Sequence, residues 1–153
     1  CRGSLFFEDV GVPVPRLPEL LAAVAGIAER YDLEIPVVAH AGDGNTHPLV
    51  VYDATDPGSS KRAKEAFAAI MQAAIALEGT ITGEHGVGYE KINSMCDQFG
   101  SDELRMFHAI KRAFDPEGLL NPEKGIPTLH RCVEFGRMHV HGGNLKFPEL
   151  ERL

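Results

Sequence analysis

The chain has 153 residues, of which 44% are apolar and 24% charged, and its net charge at pH 7 is −7. This length and composition predict one folded globular domain rather than a disordered segment. No apolar run approaches the roughly 18 residues that a membrane-spanning helix needs. An acidic chain without a basic stripe also argues against nucleic acid binding. Because the chain begins with Cys1 rather than Met, we expect it to be part of a longer protein.

Hydrophobic periodicity predicts alternating helices and strands. The predicted helices span residues 17–31 and 101–114, and a third follows the turn and helix-start cluster of residues 56–60 and runs to about residue 77. The predicted strands span residues 35–40 and 48–52. The two strands are expected to form a hairpin with a wide, glycine-rich tip. This order is typical of an α+β fold: a two-layer sandwich with an antiparallel sheet in a ferredoxin-like arrangement. An irregular C-terminal segment rich in Pro and Gly follows.

Two glycine-rich segments contain the candidate catalytic and metal-binding residues. In the first, HAGDGNTH, His40 ends one predicted strand and His47 begins the next, so a bend at the glycines can bring both imidazoles together. The second, GEHG, follows a helix and offers Glu84 and His85. Two histidines and a carboxylate are a common ligand set for a catalytic divalent metal, and zinc, manganese and iron(II) all fit it. With Glu84 as the third ligand, His85 is free for proton transfer near neutral pH.

Other polar residues favour ordinary structural roles. Asp43 and Asn45 are both typical turn residues, and the pair His139 and His141 is better explained by a solvated tail than by a metal site. The three cysteines are scattered and form no CxxC pair. This pattern predicts no disulfide framework and a reducing, cytoplasmic location.

Longer motifs around these segments point to a family. The segments HAGDGNTHPLVVYD, ITGEHGVGYEK and AFDPEGLLNPEKGIP occur in this order, after EDVGVPVPRLPELLAAV near the start. They resemble the C-terminal half of the FAD-linked 2-hydroxy acid oxidases and dehydrogenases of the vanillyl-alcohol oxidase superfamily, of the glycolate oxidase catalytic subunit and D-lactate dehydrogenase type. The likeness runs from about Glu8 to Cys132. It implies that residues 1–127 form the cap, or substrate, domain, whose antiparallel sheet covers the flavin ring, and that residues 128–153 are a C-terminal tail.

The resemblance also implies roles for individual residues. His40, His47 and Glu84 match the ligands of a divalent ion in metal-dependent members, and His85 matches the base that takes the hydroxyl proton while hydride passes from C2 to the flavin N5. Asn45 is assigned to substrate binding. The implied cofactors are FAD, bound mainly by a domain outside this chain, and a divalent metal. Zinc is the first choice, with manganese and iron as alternatives.

The expected function is therefore that of a fragment of a flavin-dependent oxidoreductase, inactive without its FAD-binding domain, that oxidises a small D-2-hydroxy acid to the 2-oxo acid. Leu49 stands where hydroxyglutarate-type members carry a polar substrate contact, which favours glycolate or D-lactate. The implied partners are the FAD-binding domain and electron-transfer subunits, which would hold a cytoplasmic protein peripherally at the membrane. Two alternatives remain open: a stand-alone metallohydrolase, and a non-catalytic remnant or interaction module.

Overall fold

The computed structural model describes residues 4–128, and the chain divides into two compact units between Gly86 and Val87. The predicted pair His139 and His141 lies outside the described residues, as does the tail after Thr128. The first unit contains strands β1 (Ser4–Phe7), β2 (Val10–Gly11), β3 (Val37–His40) and β4 (Asn45–Tyr52), a 3-10 turn (Val14–Arg16), and helices α1 (Leu17–Tyr31) and α2 (Pro57–Ala76). The second unit contains helices α3 (Met95–Gln98) and α4 (Ser101–Phe114).

Strand β4 is the centre of the sheet in the first unit. It pairs antiparallel with β1, β2 and β3. β1 and β2 follow one another along one edge of β4, with Glu8 and Asp9 between them, and β3 lies along the other edge. An antiparallel bridge between Gly11 and Thr80 brings the segment after α2 back to the sheet. The α+β class and the antiparallel sheet predicted from the sequence are confirmed, and the sheet is open rather than closed into a barrel.

Within the described residues of the first unit, the helices cover one face of this sheet and leave the other open. α1 packs on α2, and α2 packs on β4, where Val50 is fully buried. The next residues along β4 in each direction, Leu49 and Val51, are partly exposed because alternate side chains point to opposite faces. The core of the unit consists of side chains that are 0–2% exposed: Val10, Leu20, Val24, Val50, Ala63, Ala66, Ile70, Met71, Ala74 and Ile81.

Local signals set the ends of the helices. α2 begins where the Asp56 carboxylate accepts hydrogen bonds from the backbone N–H groups of Gly58 and Ser59, which have no partner within the helix. α1 occupies the predicted residues and ends at Tyr31, because the next residue, Asp32, has a left-handed backbone with φ of 52°. Strands β1 and β2 and helix α3 were not predicted. They have four, two and four residues, too few for periodicity to identify.

In the second unit, the irregular segment after α4 is held by the buried carboxylate of Asp115. This carboxylate accepts hydrogen bonds from the backbone N–H groups of Leu119 and Leu120, at 2.9 Å each, and forms an ion pair with Lys111. The hydrogen bond from Lys111 lowers the pKa of Asp115 below its ordinary value. The side chains of Leu119 and Leu120 are exposed.

Two further expectations can be compared with the described range. None of the helices within residues 4–128 is long and apolar enough to cross a membrane. Cys96 is disulfide-bonded, and one bonded cysteine does not make the disulfide framework that the sequence argues against. Scattered positions in a sequence do not determine which cysteines meet in the fold. Cys1 and Cys132 lie outside the described residues.

Candidate metal centre

The hairpin of β3 and β4 places two histidines on one face of the sheet. β3 ends at His40, as predicted, but β4 begins at Asn45, so His47 lies within the strand rather than at its start. The register pairs His40 with Asn45 and Val38 with His47. Cross-strand partners share a face, and so do alternate residues of one strand. Both imidazoles therefore lie on the open face, with ring centroids 5.4 Å apart.

The hairpin tip is narrow because of the backbone of Gly44. Its φ of 80° is left-handed, and a Cβ at this position would lie 2.0 Å from the Val12 carbonyl oxygen. The N–H groups of Asp43 and Gly44 both donate to the His40 carbonyl at 3.1 Å. The Asp43 carboxylate accepts from the N–H of Asn45 at 2.9 Å. Asp43 thus has the turn role that its residue type favours.

The segment after α2 brings Glu84 and His85 to these histidines. Glu84 Oε1 lies 2.9 Å from His47 Nε2, 3.5 Å from His40 Nε2 and 3.4 Å from His85 Nε2. Three imidazole nitrogens therefore converge on one carboxylate oxygen. Among the described residues, His40, His47 and Glu84 form a group that could hold a metal ion, with one ligand atom from each, all within 4.8 Å of one another.

The hydrogen bond of His47 to the backbone indicates which of its ring nitrogens faces the site. Nδ1 lies 3.2 Å from the carbonyl oxygen of Glu8. Since a carbonyl can only accept, Nδ1 carries a hydrogen, and the neutral ring presents a lone pair at Nε2. A lone pair 2.9 Å from a carboxylate oxygen is repulsive unless a proton or a metal ion is shared between them. The contacts of His47 therefore fit a cation at this position.

The four side chains differ in exposure. The His47 side chain is 5% exposed, whereas those of His40, Glu84 and His85 are 56%, 48% and 44% exposed. The His85 ring stacks on His47, with centroids 4.9 Å apart, and on Phe7, with centroids 5.2 Å apart. A cation held by His40, His47 and Glu84 would thus have one buried ligand and an open side, which is typical of a catalytic rather than a structural site.

The donor set also fits a divalent metal by distance and chemistry. Zinc–ligand bonds of about 2.0–2.1 Å place neighbouring tetrahedral ligand atoms about 3.4 Å apart. The distance from His40 Nε2 to Glu84 Oε1, 3.5 Å, matches this separation, and the distance from His47 Nε2 to Glu84 Oε1, 2.9 Å, is shorter than it. Imidazole and carboxylate ligands suit zinc, manganese and iron(II) alike. The residues present therefore fit the predicted group.

The turn that carries Glu84 and His85 is held by Asp9, which is fully buried between β1 and β2. Asp9 Oδ2 accepts from the Thr82 hydroxyl at 2.6 Å and from the Gly83 N–H at 3.0 Å. It also accepts from the His85 N–H at 2.8 Å, and the Glu84 N–H lies 3.2 Å from both carboxylate oxygens. Sequence reasoning assigned Asp9 no role. The available signal was an acidic residue between the apolar segments LFF and VGV, where burial requires partners.

Asn45, predicted to bind substrate, packs against the same turn. It is 8% exposed, and its Oδ1 has no hydrogen-bond partner in the described structure. A Cβ on Gly83 would lie 2.4 Å from this Oδ1. The turn can therefore pass this close to Asn45 only with glycine at position 83.

The chain matches the family described as "FAD linked oxidases, C-terminal domain" over residues 2–125. The chain belongs to this family. Among its relatives, the glycolate oxidase subunit GlcD of Escherichia coli K12 is 56% identical over 144 residues, which is 94% of this chain. GlcD of Bacillus subtilis is 41% identical over 80% of the chain, and a mitochondrial D-lactate dehydrogenase (cytochrome) of Arabidopsis thaliana is 35% identical over 81%. The resemblance drawn from the motifs is confirmed.

The FAD-linked oxidase domain is only a part of these relatives. The chain spans 29% of the E. coli protein, 26% of the B. subtilis protein and 22% of the Arabidopsis protein. Among solved structures, 4-ethylphenol oxidase from Gulosibacter chungangensis, in its isoeugenol complex, matches with a TM-score of 0.63 and 20% identity. That match covers 84% of this chain and 26% of the other chain, and at this identity it shows a shared fold.

Proposed function

We propose that this domain supplies the metal centre and the proton acceptor of an FAD-dependent enzyme that oxidises a small D-2-hydroxy acid to the 2-oxo acid. Membership of the FAD-linked oxidase family supports the cofactor, and the names of the relatives, glycolate oxidase subunits and D-lactate dehydrogenases, support the substrate class. The observation that carries the proposal is the convergence of three imidazole nitrogens on Glu84 Oε1.

His40, His47 and Glu84 are proposed to hold the divalent ion, zinc first, with manganese and iron(II) as alternatives. When bound, such an ion supplies positive charge that stabilises negative charge developing on a substrate oxygen. His47 is prepared for this role, because its bond to the Glu8 carbonyl orients the ring and leaves Nε2 free to bind. The partial exposure of His40 and Glu84 leaves space for a substrate on the same side.

His85 is the proposed base. Its ring is held between contacts with His47 and Phe7, and its side chain is 44% exposed, so a substrate hydroxyl can reach it. In the oxidation, His85 takes the proton of the hydroxyl group while the C2–H bond breaks and the C2–O double bond forms. FAD, when bound, supplies the acceptor for the hydride that leaves C2.

The open face of the sheet is the proposed side for the substrate and flavin. Leu5, Phe7 and Val38 are about half exposed there, next to the histidines. Leu49, which shares this face, supports a small acid such as glycolate or D-lactate over one with a second charged group. Asn45 remains the proposed polar contact to the substrate, supported by its place on the same strand and the same face as His47.

The wider organisation is proposed from the family. Residues 1–127 would form the cap and substrate domain, residues 128–153 the tail, and the FAD-binding domain would come from outside this chain. Electron-transfer partners are supported by relatives whose names describe subunits of glycolate oxidase. A cytoplasmic location, peripheral to the membrane through such partners, stays a prediction.

Zinc titration of the full chain tests the metal centre. We expect about one equivalent of zinc in the wild-type chain. His47→Ala should weaken zinc binding by more than about 100-fold, because losing a ligand exceeds the 10- to 100-fold cost of losing an outer contact. His108→Ala is the matched control, since His108 bonds to the Pro127 carbonyl in the second unit. Equal zinc affinity in the wild-type and His47→Ala chains would contradict the assignment.

Turnover by the FAD-loaded holoenzyme tests the base. His85→Gln should lower kcat for glycolate or D-lactate by about 10²- to 10⁴-fold, the usual contribution of a general base. Zinc content should not change, and His108→Gln should leave kcat at the wild-type value. An unchanged kcat in His85→Gln would refute the role of His85. Ester or amide hydrolysis by the chain without FAD would favour the metallohydrolase instead.

A further inference from the structure

We propose that Asp9 is a positioning residue, which holds the turn of residues 82–85 so that Glu84 and His85 face His40 and His47. The inference rests on the proposed function for what those side chains do. The hold that Asp9 has on the turn is a separate property of the chain and can be measured without metal, FAD or substrate.

The geometry of the contacts carries the first step. The N–H groups of three consecutive residues, Gly83, Glu84 and His85, all point at the carboxylate of Asp9, at 2.8–3.2 Å. Hydrogen bonds to a charged acceptor are about twice as strong as neutral ones. Three successive bonds to one acceptor fix the orientation of the peptide planes between them. They therefore also fix the directions in which the side chains of Glu84 and His85 leave the backbone.

The composition of the turn shows why it needs such an anchor. Gly83 and Gly86 flank the two functional residues, and Gly86 has a φ of 84°, so the backbone itself imposes little order. Thr82 extends the anchor, because its hydroxyl donates to Asp9 at 2.6 Å and accepts from the Gly86 N–H at 2.9 Å. Without the carboxylate, several polar N–H groups of the turn would lose their acceptor at once.

The neighbours of Asp9 along the chain contact the rest of the site. The Phe7 ring packs against the rings of His85 and His47, and the Glu8 carbonyl bonds to His47 Nδ1. Three consecutive residues, Phe7, Glu8 and Asp9, therefore contact a ring of the proposed base, a ligand nitrogen and the turn. The end of β1 and the two residues that follow it thus contact the groups that position the side chains around Glu84.

Substitutions at Asp9 and Thr82 can distinguish a role in positioning Glu84 and His85 from a role in the stability of the fold. Asp9→Asn keeps the size of the side chain but removes its charge and one acceptor oxygen. Thr82→Val removes one donor to Asp9, and Thr82→Ser keeps the hydroxyl as the conservative rescue. Asp115→Asn is the matched control, because Asp115 is also a buried carboxylate that accepts two backbone N–H bonds, in the second unit.

The first measurement is amide hydrogen exchange by NMR on the metal-free full chain. In Asp9→Asn, exchange at residues 83–85 should accelerate by more than about 10-fold relative to the amides of β4, because these N–H groups lose their charged acceptor. In Thr82→Val the carboxylate remains and only one donor to it is lost, so the acceleration at the same residues should be smaller. Thr82→Ser should exchange at the wild-type rate. Asp115→Asn should leave the ratio between the turn and β4 unchanged.

The second measurement is zinc affinity, which a purely structural role would not change. Asp9→Asn should weaken zinc binding by about 10- to 100-fold, as is typical when an outer support of a metal site is lost. Thr82→Val should weaken it less, and Thr82→Ser and Asp115→Asn should match the wild-type chain.

The outcomes distinguish this inference from the proposed function. If Asp9→Asn exchanged faster at residues 83–85 but kept its zinc affinity, the positioning role would be overturned. If exchange at these residues were unchanged, the claim that Asp9 fixes the turn would be overturned. A wild-type chain that binds no zinc would refute the metal centre, while the exchange rates would still decide whether Asp9 fixes the turn. If Asp9→Asn does not fold, the contrast between Thr82→Val and Thr82→Ser decides both points.

Discussion

The turn held by Asp9 and the loop held by Asp115 are built in the same way and differ in what they present. Each contains backbone N–H groups that donate to one buried carboxylate. The partners of Asp115 lie four and five residues further along the chain, whereas those of Asp9 lie 73–76 residues away. The near partners belong to a loop with exposed leucines, and the distant ones bring Glu84 and His85 to the hairpin histidines.

This difference shows when a buried carboxylate that binds backbone N–H groups matters for function as well as for stability. A carboxylate that binds its own neighbours closes a loop after a helix and serves stability. A carboxylate that binds a distant turn attaches that turn to the sheet, and any chemistry on the turn then depends on this attachment. The bridge between Gly11 and Thr80 is what brings the two segments within reach.

The largest expected difference in zinc affinity comes from substituting one glycine in the turn held by Asp9 and one in the loop held by Asp115. In Gly83→Ala, the new Cβ would lie 2.4 Å from Asn45 Oδ1 and 2.6 Å from its Cγ. This overpacking should cost about 1–3 kcal/mol of unfolding free energy and weaken zinc binding. In Gly118→Ala, the Cβ meets no atom within 4 Å. Only the left-handed backbone, with φ of 67°, is penalised, by about 1–2 kcal/mol.

Urea unfolding and zinc titration of both glycine variants measure this contrast. We expect the zinc affinity of Gly118→Ala to equal that of the wild-type chain. If both variants lowered zinc affinity equally, or if neither did, the functional difference between the two segments would disappear.

A smaller effect is expected from the pH dependence of Asp115. The pKa of Asp115 is lowered in the folded chain, chiefly by the hydrogen bond from Lys111, so its charged form stabilises the fold. This stabilisation is fully present above the unfolded pKa, about 3.9, and is lost as the pH falls through the lower folded pKa. Asp115→Asn should therefore be less stable than the wild-type chain at pH 7, and the difference should shrink below about pH 4.

Urea midpoints of the wild-type and Asp115→Asn chains between pH 7 and pH 3 measure this effect. A difference in midpoint that did not depend on pH would show that the charge of Asp115 contributes nothing. Zinc affinity at pH 7 should be the same in both chains, which sharpens the contrast with Asp9.

Much of the fold could be predicted because its signals are local. Helices α1 and α4 occupy the predicted residues, since an apolar stripe and polar or proline-rich ends mark each one. The hairpin was predicted with a wider tip than it has, because the pattern around Asp43 does not reveal the left-handed backbone of Gly44 or its contact with Val12. The short strands β1 and β2 carry too few residues for their pattern to be recognised.

The candidate site could be predicted only in part. His40, His47, Glu84 and His85 stand out because each pair lies within one short motif. The contacts of Asp9 could not be predicted, since they join residues more than 70 positions apart and depend on which strands pair. Sequence patterns show which groups carry chemistry, and the pairing of strands determines which of them meet.

The central claim is that His40, His47 and Glu84 bind the metal while His85 stays free. Zinc K-edge X-ray absorption on the zinc-loaded full chain tests it most directly. We predict two imidazole nitrogens and only nitrogen or oxygen neighbours at about 2.0–2.2 Å. The spectrum should lose one imidazole in His40→Ala and stay unchanged in His85→Gln. A sulfur neighbour at about 2.3 Å, or the loss of an imidazole in His85→Gln, would contradict the claim.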